Sequence, residues 1–164
     1  MSKKEVVKVP VLTIKKLKSC KGTDGGAFSC NLYVDGKKAA SVTQGGHGGG
    51  NNYHWNDEAT EKRVYDWVGT LPPETVDFGN AHMVVMKSNL DVVIAKIIDA
   101  VEFKKKLKAL CRKNIVFSLK GDDGKEQYMT INRKYDPGLK AAMIRKYGDS
   151  LGDIVNERYL PARG

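Results

Sequence analysis

The chain has 164 residues, 41% of them apolar and 29% charged, with a formal net charge of +9. This length can bury a core without disulfide staples, and no apolar run approaches the roughly 20 residues of a helical membrane span. The basic N-terminus lacks the apolar stretch of a secretory signal, and Cys20, Cys30 and Cys111 show no CxxC spacing. The expectation is one cytoplasmic α+β domain over residues 1–164 with reduced thiols, residues 1–7 forming a flexible tail. A Cys20–Cys30 bridge across the first hairpin is the alternative for two of those thiols.

Val9 to Lys18 is rich in β-branched residues and predicts a first strand, followed by a glycine-rich turn at residues 21–26. From Ala27 to Val34 the alternation is clean, with Phe28, Cys30, Leu32 and Val34 on one face. Asp35-Gly36 is a hairpin turn, and Lys37 to Thr43 returns as a third strand. Residues 44–56 read as a Gly/His-rich loop holding five glycines in six positions, broken only by His47. Asn56 or Asp57 then caps a helix over 58–69, whose stripe is Val64, Trp67, Val68 and Leu71 and whose end is Pro72-Pro73.

Residues 74–81 read as a loop and His82 to Lys87 as a short strand. Leu90 to Arg112 predicts the longest helix, a central packing element with Asp91 near its start and Lys104, Lys105, Lys106, Lys108 and Arg112 crowding its last turns. Asn114–Lys120 and Glu126–Tyr135 form a second hairpin through residues 121–124. Asp136-Pro137 starts another helix, Gly148 ends it, and Ser150 to Asp153 resembles a capping box for a final helix that stops before Pro161. The resulting fold class is α+β: two antiparallel hairpins, five or six strands in all, packed with a long central helix and three shorter ones.

The charge is unevenly spread. Residues 1–40 carry nine lysines against three acids, 41–103 four bases against nine acids, and 104–164 fifteen bases against seven acids. A basic front and back around an acidic middle suggests a polyanionic partner or a charged protein interface, with a solvated lysine-rich face as the bland alternative.

Leu32-Tyr-Val-Asp-Gly-Lys-Lys38 leads to Gly45-Gly-His-Gly-Gly49 and Tyr53-His54; Phe117-Ser-Leu-Lys-Gly-Asp122 and Lys146-Tyr-Gly-Asp-Ser-Leu151 follow. Together they resemble a loose class of small phage and mobile-element proteins, over most of the chain. The resemblance implies a bacterial cytoplasm during phage or mobile-element replication, where nucleic-acid binding and interference with host defences are common tasks. It implies no catalytic residue.

Successive backbone N–H groups of the glycine run could cradle an anion, with Gly46, His47, Gly48, Gly49, Asn51, Tyr53, His54 and Trp55 as the ligand-binding set. No Gly-Lys-Ser/Thr or dinucleotide pattern accompanies them, and a mobile hairpin exit is the alternative. His47, His54 and Asp57 offer two imidazoles and a carboxylate for a metal or a His-dependent hydrolase, though at no standard zinc spacing. His47-Gly-Gly-Gly50 echoes an esterase oxyanion hole without the Gly-x-Ser-x-Gly it would need.

The fourth reading is nucleic acid. Lys37, Lys38, Lys104, Lys105, Lys108, Arg112, Arg133 and Lys134 would meet phosphates, while Tyr33, Tyr53, Trp55, Tyr128 and Tyr135 offer rings for bases. Half-buried sheet positions are the ordinary alternative for those rings. The leading expectation is a non-catalytic protein, without a cofactor, that binds nucleic acid or a nucleotide-like anion. A protein-interaction module that blocks a host nuclease or defence factor, using the acidic segment from Asp57 to Asp99, is the second. A His-dependent metal hydrolase or nuclease is the third.

Overall fold

The computed structural model describes residues 8–77 and 83–160. The chain expected to be one domain divides into two compact units, Met1–Asp99 and Ala100–Gly164. Among the described residues no helix is long and apolar enough to cross a membrane.

The first unit holds an antiparallel meander of β1 (Leu12–Lys21), β2 (Gly26–Val34), β3 (Lys37–Gln44) and β4 (Asn52–Trp55), paired in that order. The alternation in β2 buries Cys30, Leu32 and Val34, and the register sets Leu32 against Ala40 and Cys30 against Val42. Asp35 and Gly36 turn the chain with φ of 49° and 82°, the left-handed pair that a tight hairpin requires. The Asp35 carboxylate accepts the Val11 N–H at 3.0 Å and pairs with Arg63, tying the chain entry to the turn and to the next helix.

That helix, α1 (Glu58–Gly69), begins where the Asp57 carboxylate accepts the Thr60 N–H at 2.7 Å. It buries Val64 and Val68 and ends as the Thr70 hydroxyl donates to the Trp67 carbonyl at 2.6 Å. β5 (Glu74–Asp77) and β6 (Met83–Met86) make a separate two-stranded sheet. Residues read as loop therefore include two strands, β4 and β5. The short strand expected from His82 is β6, and His82 itself lies outside the described residues, as do the tail 1–7 and residues 161–164.

The boundary between the units falls inside α2 (Leu90–Leu110). The helix's buried residues are Leu90, Ile94 and Ile98 before that boundary and Leu107 after it. The second unit is a three-stranded antiparallel sheet with β7 (Ile115–Lys120) between β8 (Glu126–Ile131) and β9 (Leu151–Ile154). One face of β7 packs Ile115 and Phe117 with Tyr135, Met143 of α3 (Lys140–Tyr147) and Ile154. The other packs Val116 with Leu107 of α2 and Val155. Covered on both faces, β7 is buried over four consecutive residues.

The last segment corrects the sequence reading. Instead of a helix after Ser150, the chain pairs Leu151 with Leu119 and Ile154 with Phe117, then makes a 3-10 helix over Val155–Tyr159. Gly152 permits the approach: a Cβ there would lie 2.3 Å from the Ser118 hydroxyl, which accepts the Asp153 N–H at 2.8 Å. Across the described residues the fold has nine strands in three sheets and three α-helices, with the 3-10 segment in place of the expected fourth helix. The three thiols are free; Cys20 faces Ala27 in the register and Cys30 faces Val42, so no bridge joins them.

Asn156, only 3% exposed, closes the second unit. Its side chain accepts the Val116 N–H at 2.7 Å and donates to the carbonyls of Asn114 at 2.8 Å and Cys111 at 3.2 Å. Asn156→Ala strips three backbone groups of their partner at once and is expected to lower the unfolding free energy by about 3 kcal/mol. Urea unfolding reads this; a loss well below about 1 kcal/mol would mean that the three groups find other partners.

Candidate functional site

The glycine run is braced by its own polar neighbours. Gly46, with φ of 71°, is buried so close to the first turn that a Cβ on it would lie 2.8 Å from the Gly22 Cα. Its carbonyl accepts the Asp24 N–H at 3.0 Å. Gln44 accepts the Gly46 N–H at 3.1 Å and donates to the Gly49 carbonyl at 2.5 Å. His47 is exposed, its Nδ1 3.0 Å from the Thr23 hydroxyl, and Gly48 and Gly49 face solvent.

At the far end of the loop, the Asp91 carboxylate accepts the Asn51 N–H at 3.2 Å and the Tyr53 hydroxyl at 2.6 Å. Burial, and then the Asp91 carboxylate, push the Tyr53 hydroxyl well above the usual tyrosine range. Tyr53 and Trp55 pair with Val42 and Ala40, which are buried, so both rings lie on the core face of the sheet. They stack with centroids 6.1 Å apart and interplanar angle 19°, half-buried. His54, between them, is exposed opposite Ser41. The expected ligand-binding set is thus engaged largely in holding the loop.

The metal candidates part company in the same way. His47 meets Thr23, His54 faces Ser41 in the register, and Asp57 caps α1. Among the described residues no three His, Cys, Asp or Glu side chains come together as a metal-ion ligand set. Lys37 and Lys38 line a hollow of about 330 Å³ shared with Asp35, Asp57 and Arg63. Both carboxyls there sit below the usual range: Asp35 through the Val11 N–H and then Arg63, Asp57 through the Thr60 N–H. The charges around this hollow are mixed and partly answered by one another.

The second unit is different. Lys108 near the end of α2, Arg112 just beyond it and Lys134 after β8 line one cavity of about 270 Å³, with Tyr135, Asn156 and Tyr159. None of these three cations makes an ion pair among the described residues. The acids nearby are engaged elsewhere: Asp136, two residues from Lys134, accepts the Gly138 N–H at 2.7 Å, Glu157 pairs with Lys140 at 3.0 Å, and Asp153 with Arg158 at 2.5 Å. Lys140 holds the Glu157 carboxyl below the usual range, with help from the Tyr135 hydroxyl, which donates to it at 2.9 Å.

Burial first, and Glu157 second, push Tyr135 up to about 12, so it stays a neutral donor at physiological pH. Lys108 Nζ stands 5.8 Å from the centroid of the Tyr159 ring, and burial keeps the Cys111 thiol above its ordinary value. Lys104 and Lys105 are exposed about one turn before Lys108, on the same side of the helix. Arg133 lines a separate cavity, and Tyr128 packs edge-on against Phe103 at 5.3 Å. Asn156 and Tyr159 were missed as pocket residues because the terminal segment reads as a helix. The polar Asn156 directly after Ile154-Val155 was the available hint.

No protein-family model matches the chain, and no curated protein and no solved structure matches it either.

The Tyr53–Asp91 bond yields a test of the braced loop. Tyr53→Phe is expected to lower stability at neutral pH by about 1 kcal/mol. Because the folded-state hydroxyl titrates above its unfolded value, the bond contributes fully below about pH 10 and is lost as pH rises past it. The gap between wild type and variant therefore narrows in alkali. Thermal melts at neutral and alkaline pH measure both, and a gap that widens would contradict the assignment.

Proposed function

We propose that the protein binds a phosphate-bearing polyanion, nucleic acid in particular, at the Lys108–Arg112–Lys134 cavity and performs no chemistry on it. The observation that supports this reading is the convergence of three unanswered cations on one concave surface. Charge distribution adds weight: residues 100–164 hold fifteen bases against eight acids, while residues 1–99 hold thirteen against eleven. Most of the net charge therefore belongs to the unit that carries the cavity. Concave cationic surfaces concentrate field and raise the local density of anions. In the phage or mobile-element setting that the sequence resemblance implies, a nucleic acid is the abundant anion of this kind.

The strand β6 favours a second reading, a protein-binding surface in the first unit. Met83, Val84, Val85 and Met86 are 61%, 44%, 68% and 37% exposed, four apolar residues in a row on a two-stranded sheet. An association that survives nuclease treatment and is lost in Val85→Lys, with oligonucleotide binding unchanged, would speak for it. The hydrolase reading gains no support, since the candidate ligands are dispersed.

Fluorescence anisotropy with a labelled single-stranded oligonucleotide tests the first reading. Affinity is expected to fall steeply between about 50 and about 200 mM salt. Lys134→Gln and Arg112→Gln should each weaken binding and reduce the slope of log K against log salt by about 1. Affinity that ignores salt, or a Lys108→Gln/Arg112→Gln/Lys134→Gln variant that binds as wild type does, would overturn it.

A further inference from the structure

We infer that the nucleic acid held at the basic cavity is single-stranded and seats one unstacked base in a second cavity of the same unit; this rests on the polyanion reading above. The second cavity, of about 230 Å³, is walled by Ile115, Ile131, Leu139, Met143 and Tyr147. Its charged lining consists of Arg133 and Lys146, and neither makes an ion pair among the described residues. The floor is fixed, because the Tyr147 ring backs onto Phe117 with centroids 5.0 Å apart, while Lys146 Nζ stands 5.2 Å from the same tyrosine ring. A flat apolar group joined to an anion fits such a lining, and a nucleotide is that combination.

The two cavities lie against the clusters on opposite faces of β7, and neighbouring residues of one segment line them. Arg133 lines the apolar one and Lys134 the basic one, and their Cα atoms are about 3.8 Å apart. A sugar–phosphate backbone crossing this segment meets cations on both sides of it, with the apolar cavity beside its path. Only an unpaired strand can turn a base out of its stack at little cost, so the pairing of cavities selects against a duplex. Tyr147 then provides the ring face on which the base lies.

The test uses the full chain and three labelled probes of equal length: oligothymidylate, the same backbone with abasic sites, and a duplex. Oligothymidylate is expected to bind about tenfold more tightly than the abasic strand, the range of one stacked base, and more tightly than the duplex. Ala142 is exposed at the edge of the cavity, so Ala142→Leu fills it without disturbing the core. That variant should erase the base-dependent margin while leaving abasic binding unchanged, and Ala142→Met should reproduce the effect. Equal, salt-sensitive binding of the thymidylate and abasic strands would overturn this inference and leave the polyanion reading standing. Preference for the duplex, or a margin untouched in both filled variants, would overturn it too. Failure of all three probes to bind would remove both.

Discussion

The second unit depends on one buried amide. Where α2 ends, its last carbonyls accept N–H groups of residues 111–114, which leaves the carbonyls of that turn itself to be satisfied before a strand starts. Asn156, some forty residues later, supplies two donors to the carbonyls of Cys111 and Asn114 and one acceptor to the Val116 N–H. A water molecule could satisfy any one of these groups; a single fixed side chain satisfies all three and sets their spacing. The same contact pins the 3-10 segment that brings Tyr159 to Lys108, so the wall of the basic cavity is a consequence of how the turn after the helix is held.

That dependence explains what the sequence could and could not convey. Local chemistry was legible where it is self-contained. Asp35-Gly36 dictates its turn through left-handed backbone angles, Asp57 and Asp136 cap the elements they precede, and the alternation Cys30, Leu32, Val34 faces the core. The last strand was not legible, because Leu151, Ile154 and Val155 satisfy a helical period as well as a strand edge. What decides is a distant partner: Ser118 accepting the Asp153 N–H and the absence of a side chain on Gly152. The short strands β4 and β5 fail for a related reason, since four residues are too few to show a period.

The candidate site moved for a physical reason as well. A glycine-rich run with two histidines looks like a ligand cradle only if its polar groups are free. Here Gln44 holds the Gly46 N–H and the Gly49 carbonyl, Thr23 meets His47, Asp91 holds the Asn51 N–H, and Gly46 serves close packing against Gly22. Composition cannot distinguish a loop built to hold something from one built to be held. The lysines and arginines show the converse. Sequence counting set Lys37 and Lys38 beside Lys108 and Arg112 as equals, whereas the hollow of the first pair also holds Asp35 and Asp57 and no acid lines the cavity of the second.

Unanswered charge is a more discriminating indicator than net charge. A surface lysine in water costs little, and its neighbour's repulsion is screened over about 10 Å at ordinary salt. Cations that share one concavity repel at shorter range, across walls of lower polarity, and the usual relief is a carboxylate. Around this cavity the carboxylates exist in the chain, but Glu157 is taken by Lys140 and Asp153 by Arg158. No carboxylate lines the cavity itself. A bound anion there meets cations in a lining without acids, whereas an anion at Lys37 and Lys38 also faces the Asp35 and Asp57 carboxylates. The difference between the two linings, more than the number of cations, is what supports the proposal of binding in the second unit.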